Sequence, residues 1–161
     1  MELPHVALHV RMGDFSPATA EELRKGVKNA RIPVEWYREM LIGVRNRLGF
    51  DCRAVIYSDG DDEQLRPILA LPQTKRALRQ PAITDLLSMG NAVLLISSGS
   101  GFSCWGAYLG QVPRICFPNQ RLFRTRPSGE VCDFEPECDS ATDIDEVVLA
   151  TAKTGLNKNG T

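Results

Sequence analysis

No window of the sequence approaches the run of about 18 apolar residues that a membrane-crossing helix needs. The first apolar run, Val6-Ala7-Leu8, is too short for the core of a secretory signal, so no signal peptide is expected. No sign of charge predominates either. Nineteen basic residues face 20 acidic ones, for a net charge of -1. That balance argues against bulk attraction to nucleic acid or to an anionic membrane, and neither is expected as a partner. Histidine is scarce: His5 and His9 are the two in the chain. With no G-x-S-x-G elbow, there is no arrangement that reads as a Ser-His-Asp hydrolase. The five cysteines, at 52, 104, 116, 132 and 138, form no C-x-x-C pair. Cys52, Cys104 and Cys116 sit in apolar surroundings and read as small buried thiols. Cys132 and Cys138 flank a polar segment, where two surface thiols, a disulfide and a metal site are all open. A reducing compartment, and so a cytoplasmic location, fits this usage.

What the sequence has is the composition of one globular domain spanning residues 1–161. The hydrophobic fraction is 43% and the charged fraction 24%, with no repeat and no low-complexity tract. Residues 4–10 read as a buried strand and residues 12–32 as a long loop with a helical turn near 20–25. A helix opens at Pro33 and stops at Gly49, with Tyr37, Met40, Leu41, Val44 and Leu48 on one face. Residues 53–57 predict a second strand and 61–71 a helix with acids in its first turn. Residues 72–82 are ambiguous between Pro72 and Pro81. A helix over 83–91, a strand over 92–96, a helix over 101–110 and a strand over 112–117 follow. Phe102, Trp105 and Leu109 are expected to form the apolar face of the 101–110 helix. Residues 118–141 read as mostly loop. Thr142 with Asp145 resembles a capping box for a last helix carrying Ile144, Val147 and Val148. Short continuous apolar strands alternating with helices predict an α/β fold, a Rossmann-like doubly wound parallel sheet.

Such sheets bind ligands outside the carboxyl ends of their strands. His9-Val10-Arg11-Met12-Gly13-Asp14-Phe15 follows the first strand and Ser58-Asp59-Gly60 the second. Ser97-Ser98-Gly99-Ser100-Gly101-Phe102-Ser103 runs from the third strand directly into a helix. Glycine permits close approach of backbone to ligand, and a helix start offers unpaired N–H groups. Equally, Ser100 suits an ordinary N-cap. The run lacks the Gly-Lys-Ser/Thr of a P-loop, and Cys104 breaks a dinucleotide fingerprint. Arg11 suits either a phosphate or a structural ion pair with Asp14 or another acid. His9 shares its strand face, because strand side chains alternate. Asp14 reads as a loop-fixing carboxylate. Asp61 and Asp62 fit the first turn of a helix better than a cation site, and no metal site is expected.

Several of these segments together resemble a known family. His9 to Phe15 resembles the H-x-R-x-G-D-Tyr/Phe signature of α1,2-fucosyltransferases, and related fucosyltransferases keep its H-x-R core. Val55 to Asp59 resembles the family's F-S-D strand end, and Asp85 to Met89 its D-L-x-L-M helix. Ser100 to Leu109 is similar to its S-S/T-F-S-W-W-G-A-W-L segment, with Gly101 in place of the hydroxyl residue and Cys104 in place of the first Trp. The resemblance spans residues 5–118. It implies the C-terminal, donor-binding half of a GT-B glycosyltransferase, with the N-terminal acceptor domain outside this sequence. It implies inverting transfer of fucose from GDP-fucose, or a related GDP-sugar, to a glycan hydroxyl, without an essential metal or other cofactor. Arg11 would hold the diphosphate. His9 and Asp85 would lie near the ribose or base, Asp85 reading the guanine N–H edge. Asp59, Ser98, Ser100, Gly101, Phe102 and Ser103 would complete the nucleotide pocket, and Asp14, then Asp59, are the candidate bases. A non-catalytic nucleotide- or phosphosugar-binding module, and an unrelated α/β interaction domain, are the competing readings.

Overall fold

The computed structural model describes residues 4–125, 133–136 and 144–158. Cys132, Cys138 and Thr142 lie outside the described residues. Six strands form one sheet: β1 (Val6–Val10), β2 (Ala54–Ser58), β3 (Thr74–Arg76), β4 (Leu94–Ser97), β5 (Arg114–Cys116) and β6 (Asp133–Phe134). Their spatial order is β3-β2-β1-β4-β5-β6, and every pairing is parallel. The helices are α1 (Ala20–Arg24), α2 (Val34–Leu48), α3 (Asp62–Leu69), α4 (Ala82–Gly90), α5 (Gly101–Gly110) and α6 (Glu146–Lys158). The expected doubly wound α/β fold is therefore the observed one.

Each face of a parallel sheet must be covered, so its strands carry apolar residues on both sides. In β1 every residue is buried. Val6, Leu8 and Val10 face the larger core with α2, α3 and α6, alongside Ala54, Ile56, Leu94 and Ile96. Ala7, Val55, Tyr57 and Leu95 face the smaller core, together with Met89 of α4 and Ala107 of α5. The odd-numbered residues of β1 thus point toward α4 and α5, and His9 is one of them.

Several local expectations hold in detail. All five apolar residues expected on α2 are buried, and Gly49 ends the helix in a left-handed conformation. Asp61 is the N-cap of α3: its carboxylate accepts from Gln64 N at 2.8 Å, and Gln64 Oε1 accepts from Asp61 N at 3.0 Å. That capping role accounts for the acid without a cation. Cys52, Cys104 and Cys116 are buried free thiols.

Three open or partial readings are filled in by the structure, and one, the apolar face of α5, is corrected. The ambiguous 72–82 segment contains β3, a short polar strand at the sheet edge, where solvent replaces the apolar pattern. The expected 118–141 loop contains β6. It is joined to β5 by a buried ion pair, Arg114 Nε to Asp133 Oδ1 at 2.7 Å, with both side chains at most 3% exposed. Arg114 also donates to Cys104 Sγ at 2.7 Å and to the Phe123 carbonyl at 2.8 Å. In α6, Val147 is exposed, while Leu149 and Ala152 are buried with Val148. In α5, Trp105 and Leu109 are each 54% exposed, and the buried face is Ser103, Cys104, Gly106 and Ala107. The cause is close packing against α4. A Cβ on Gly110 would overlap the Gly90 carbonyl, and one on Gly106 would come within 3.1 Å of the Leu86 carbonyl. A large side chain has no room on that side. Among the described residues, no helix is long and apolar enough to cross a membrane.

Substituting Gly110→Ala should therefore cost at least about 2 kcal/mol, as overpacking of a rigid contact does. Gly101→Ala, where a Cβ meets nothing within 4 Å, should be neutral or slightly stabilising. Urea unfolding of both variants checks the pair, and equal stabilities would show that α4 and α5 do not meet backbone to backbone.

Candidate functional site

The strand order reverses between β1 and β4, the point at which the loops after two neighbouring strands diverge and leave a crevice. β1 delivers His9 and Arg11 to this end of the sheet. β4 delivers the turn from Ser97 to Phe102, which caps α5. The backbone joins the two strands once more here, with Ser98 N donating to the His9 carbonyl at 3.1 Å.

Asp59, just past β2, organises the loop that leaves β1. Its Oδ1 accepts from Met12 N at 2.7 Å and its Oδ2 from Gly13 N at 3.0 Å. A Cβ at Gly13 would lie 2.5 Å from Asp59 Oδ2, so glycine is what lets the carboxylate reach the amide. The same Oδ2 pairs with Arg11 Nη1 at 2.7 Å, and Arg11 Nη2 pairs with Asp14 at 2.8 Å. Of the two roles open to Arg11 from the sequence, the structure shows the ion pair. Its guanidinium, one-third exposed, is already held by two carboxylates. Asp14 is 70% exposed and joins the site through Arg11 alone among the described partners.

His9 is 5% exposed. Its Nδ1 lies 2.8 Å from Ser98 Oγ, and its ring packs tilted against Phe102 at 5.5 Å. Burial, reinforced by the positive charge of Arg11 and opposed by Asp59, lowers its pKa to about 4. At neutral pH His9 is an uncharged imidazole. Ser103 lies at the centre of a buried hydroxyl cluster, 2.9 Å from Ser97 Oγ and 3.0 Å from the Ser100 carbonyl. Ser100 is the N-cap of α5, its Oγ accepting from Phe102 N at 3.1 Å. Its hydroxyl therefore serves the helix, as the ordinary reading of that turn expects. Gly101 has open space around it.

A cleft of about 750 Å³ opens beside this point, over the carboxyl ends of β2 and β3. Tyr57, Asp59, Arg76, Arg79, Gln80 and Asp85 are among the residues that line it. The volume lies within the range of small-molecule and cofactor sites. Asp85, in the first turn of α4, accepts from Gln80 Nε2 at 2.7 Å through Oδ1 and turns toward the cleft. Arg76 is committed to Asp62 at 2.6 Å and to the Ser58 and Gly60 carbonyls. Arg79 is exposed on the cleft and has no acidic partner among the described residues. Asp59 belongs both to the cleft wall and to the Arg11 pair, so the two are contiguous.

The structure thus draws His9, Arg11, Asp14 and Asp59 together with Ser98, Ser100, Phe102 and Ser103, and places Asp85 on the wall of the adjoining cleft. Arg79 and Gln80 were not foreseen. They lie just past Ala77 and Leu78 in the segment that leaves β3, and recognising that strand would have put both near a carboxyl end. Among the described residues there is no group of three or more His, Cys, Asp or Glu side chains placed to hold a metal ion.

Because the unfolded imidazole titrates near 6.5 and the folded one near 4, the unfolded chain binds the extra proton between these values. Stability should fall as pH drops from 6.5 to 4, by up to about 3 kcal/mol from this residue. His9→Gln should remove that part of the slope. Denaturant unfolding at pH 7, 5.5 and 4.5 measures it, and parallel curves for the two proteins would refute the burial of His9.

A scan against protein-family models and a search of curated proteins give no match, so the functional reading rests on the geometry of the crevice.

Proposed function

We propose that this domain is the donor-nucleotide half of a fucosyltransferase-like glycosyltransferase, holding a GDP-sugar by its diphosphate on Arg11 and by its base in the cleft beside Asp85. The observation that carries the proposal is the sharing of Asp59 by the Arg11 pair and the cleft wall, which sets a guanidinium 2.7 Å from a carboxylate that lines a cleft of about 750 Å³. A parallel sheet with its switch point at β1 and β4 is the expected frame for such a ligand. Arg79 adds a second cation on the cleft.

The chemistry suits these groups. Breaking the sugar–phosphate bond leaves negative charge on the departing diphosphate, and a fixed guanidinium offers two charge-assisted hydrogen bonds to it. A carboxylate suits guanine because the N1–H and N2–H₂ groups form one bidentate donor edge. Asp85 has one oxygen on Gln80 and leaves the other available. Neutral His9 adds no charge repulsion and can bond an oxygen of the ligand. Arg11 is the charge that would take up the leaving group, in place of a metal.

One observation favours a second reading, a module that binds the nucleotide without transfer. Asp14 and Asp59 both pair with Arg11, so neither stands as an unpaired base in the unliganded molecule.

Thermal-shift titration with GDP, GDP-fucose, UDP and ADP tests the proposal. GDP species at about 100 times the dissociation constant should add about 2.7 kcal/mol of stability. UDP and ADP should add less, Arg11→Ala should abolish the response, and Asp85→Asn should reduce the preference for guanine. Equal responses to all nucleotides, or none, would overturn it. GDP binding with no transfer when an acceptor domain and acceptor sugar are supplied would favour the second reading.

A further inference from the structure

The hydroxyl cluster beside His9 has a direction. Ser103 Oγ has two carbonyl acceptors, Ser100 O at 3.0 Å and Ser98 O at 3.3 Å, so its single proton is used there. Ser97 Oγ has its own acceptors, Ser103 Oγ and the Ser98 carbonyl, both at 2.9 Å. Ser98 Oγ lies 3.5 Å from Ser103 Oγ, too far for a good O–H···O bond, but 2.8 Å from His9 Nδ1. The short contact is where the Ser98 proton belongs. A neutral imidazole carries one proton, and an Nδ1 that accepts leaves it on Nε2. Nε2 has no hydrogen-bond partner among the described residues. Among the described residues Trp36 Nε1 and Tyr37 Oη are the side-chain polar atoms buried without a hydrogen bond, so Nε2 is not sealed from solvent. The tilted contact with Phe102 and the burial of the ring fix the direction of that N–H.

We propose that Ser98 is a positioning residue: its hydroxyl donates to His9 Nδ1 and so fixes the tautomer in which His9 presents an Nε2–H donor to an anionic oxygen of the ligand held by Arg11. For the identity of that ligand the inference rests on the GDP-sugar reading. In this role Ser98 acts through His9. Neutrality suits the arrangement, because burial lowers the His9 pKa to about 4 and leaves one defined proton to place at physiological pH.

Long-range ¹H–¹⁵N correlation spectra of the labelled full chain near pH 7 test the positioning directly. The chain has two histidines, so His9→Gln assigns the ring signals. The expected result is a single Nε2–H tautomer for His9 in the unmodified protein. Ser98→Ala should give a tautomer mixture, and Ser98→Thr, which keeps the hydroxyl, should restore the single form. GDP titration supplies the second readout. Gln places an amide N–H near the imidazole Nε2 position and Asn near Nδ1. His9→Gln should retain GDP affinity within about threefold and His9→Asn should lose about tenfold, as expected for one hydrogen bond to a charged group. An Nδ1–H tautomer in the unmodified protein, or an unchanged Nε2–H tautomer in Ser98→Ala, would overturn the role of Ser98 whether or not the variants bind. Failure of the unmodified protein to bind GDP would overturn the ligand and leave the tautomer result to decide the positioning.

Discussion

The carboxylate of Asp59 holds the end of β1 in place. Both oxygens accept backbone amides of the departing loop, Met12 at 2.7 Å and Gly13 at 3.0 Å, and one also pairs with Arg11. A central strand of a parallel sheet ends among neighbours on both sides, where its exit loop has few amide partners of its own. Asp59 satisfies two of those amides from the adjacent strand. It thereby fixes the path of residues 11–13, which sets where the guanidinium stands. Gly13 is a consequence, since any larger residue would push the carboxylate off. Arg31 ties the far side of the same loop, donating to the Met12 and Phe15 carbonyls at 2.8 and 2.7 Å. The loop is held from two directions.

The same economy runs through the buried polar groups. Arg114 would be prohibitively costly at 1% side-chain exposure without a partner, and it has three: Asp133, Cys104 and the Phe123 carbonyl. Burial works to raise the Asp133 pKa, but hydrogen bonds from Arg114 and Thr125 together with the Arg114 charge outweigh it and hold the carboxyl ionised. Cys104 gains a physical reason here. A small soft acceptor at this position leaves room for a buried guanidinium. On the other side of the sheet end, Gln120 donates to the Leu23 and Val27 carbonyls at 2.7 and 3.0 Å and lies against Gly99. The β4 turn, the α1 segment and the loop after β5 are thus one packed unit.

Elements whose sequence pattern comes from burial were legible. β1, β2, β4 and α2 carry continuous or periodic apolar residues because both faces of the sheet are covered, and each was found within a few residues. β3 and β6 were not, because an edge strand of two or three residues has little apolar surface to advertise and is held by backbone pairing. The inward face of α5 was misread for a related reason. Period alone selects the large residues Phe102, Trp105 and Leu109, whereas the close approach of Gly90, Gly106 and Gly110 reserves the inside for small ones. The strand-end rule placed Arg11, Asp59 and the serine turn at the carboxyl ends of β1, β2 and β4, where the structure has them. Nothing in the pattern told that Asp59 would serve two amides, because that depends on the register of β1 on β2, His9 opposite Tyr57 and Val10 opposite Ser58.

The two carboxylates on Arg11 are unequal, and that inequality decides how a diphosphate could enter under the proposed function. Asp59 cannot leave without breaking its bonds to two backbone amides, and that of buried Met12, left unsatisfied, would cost about 1–3 kcal/mol, while that of exposed Gly13 can turn to water. Asp14 has 70% of its side chain in solvent and a pair of the kind worth about 0–1 kcal/mol. A phosphate oxygen bonded to a guanidinium is worth about 1.5–3 kcal/mol. Exchange of Asp14 for phosphate is therefore favourable while exchange of Asp59 is not. The ligand would take the Nη2 side of Arg11 and leave the Nη1 side, with the loop, intact. Asp14, released onto solvent by the same step, would become an unpaired carboxylate only once the diphosphate is seated. That sequence reconciles a paired acid in the free domain with a base role in the complex, and it needs no movement of the sheet.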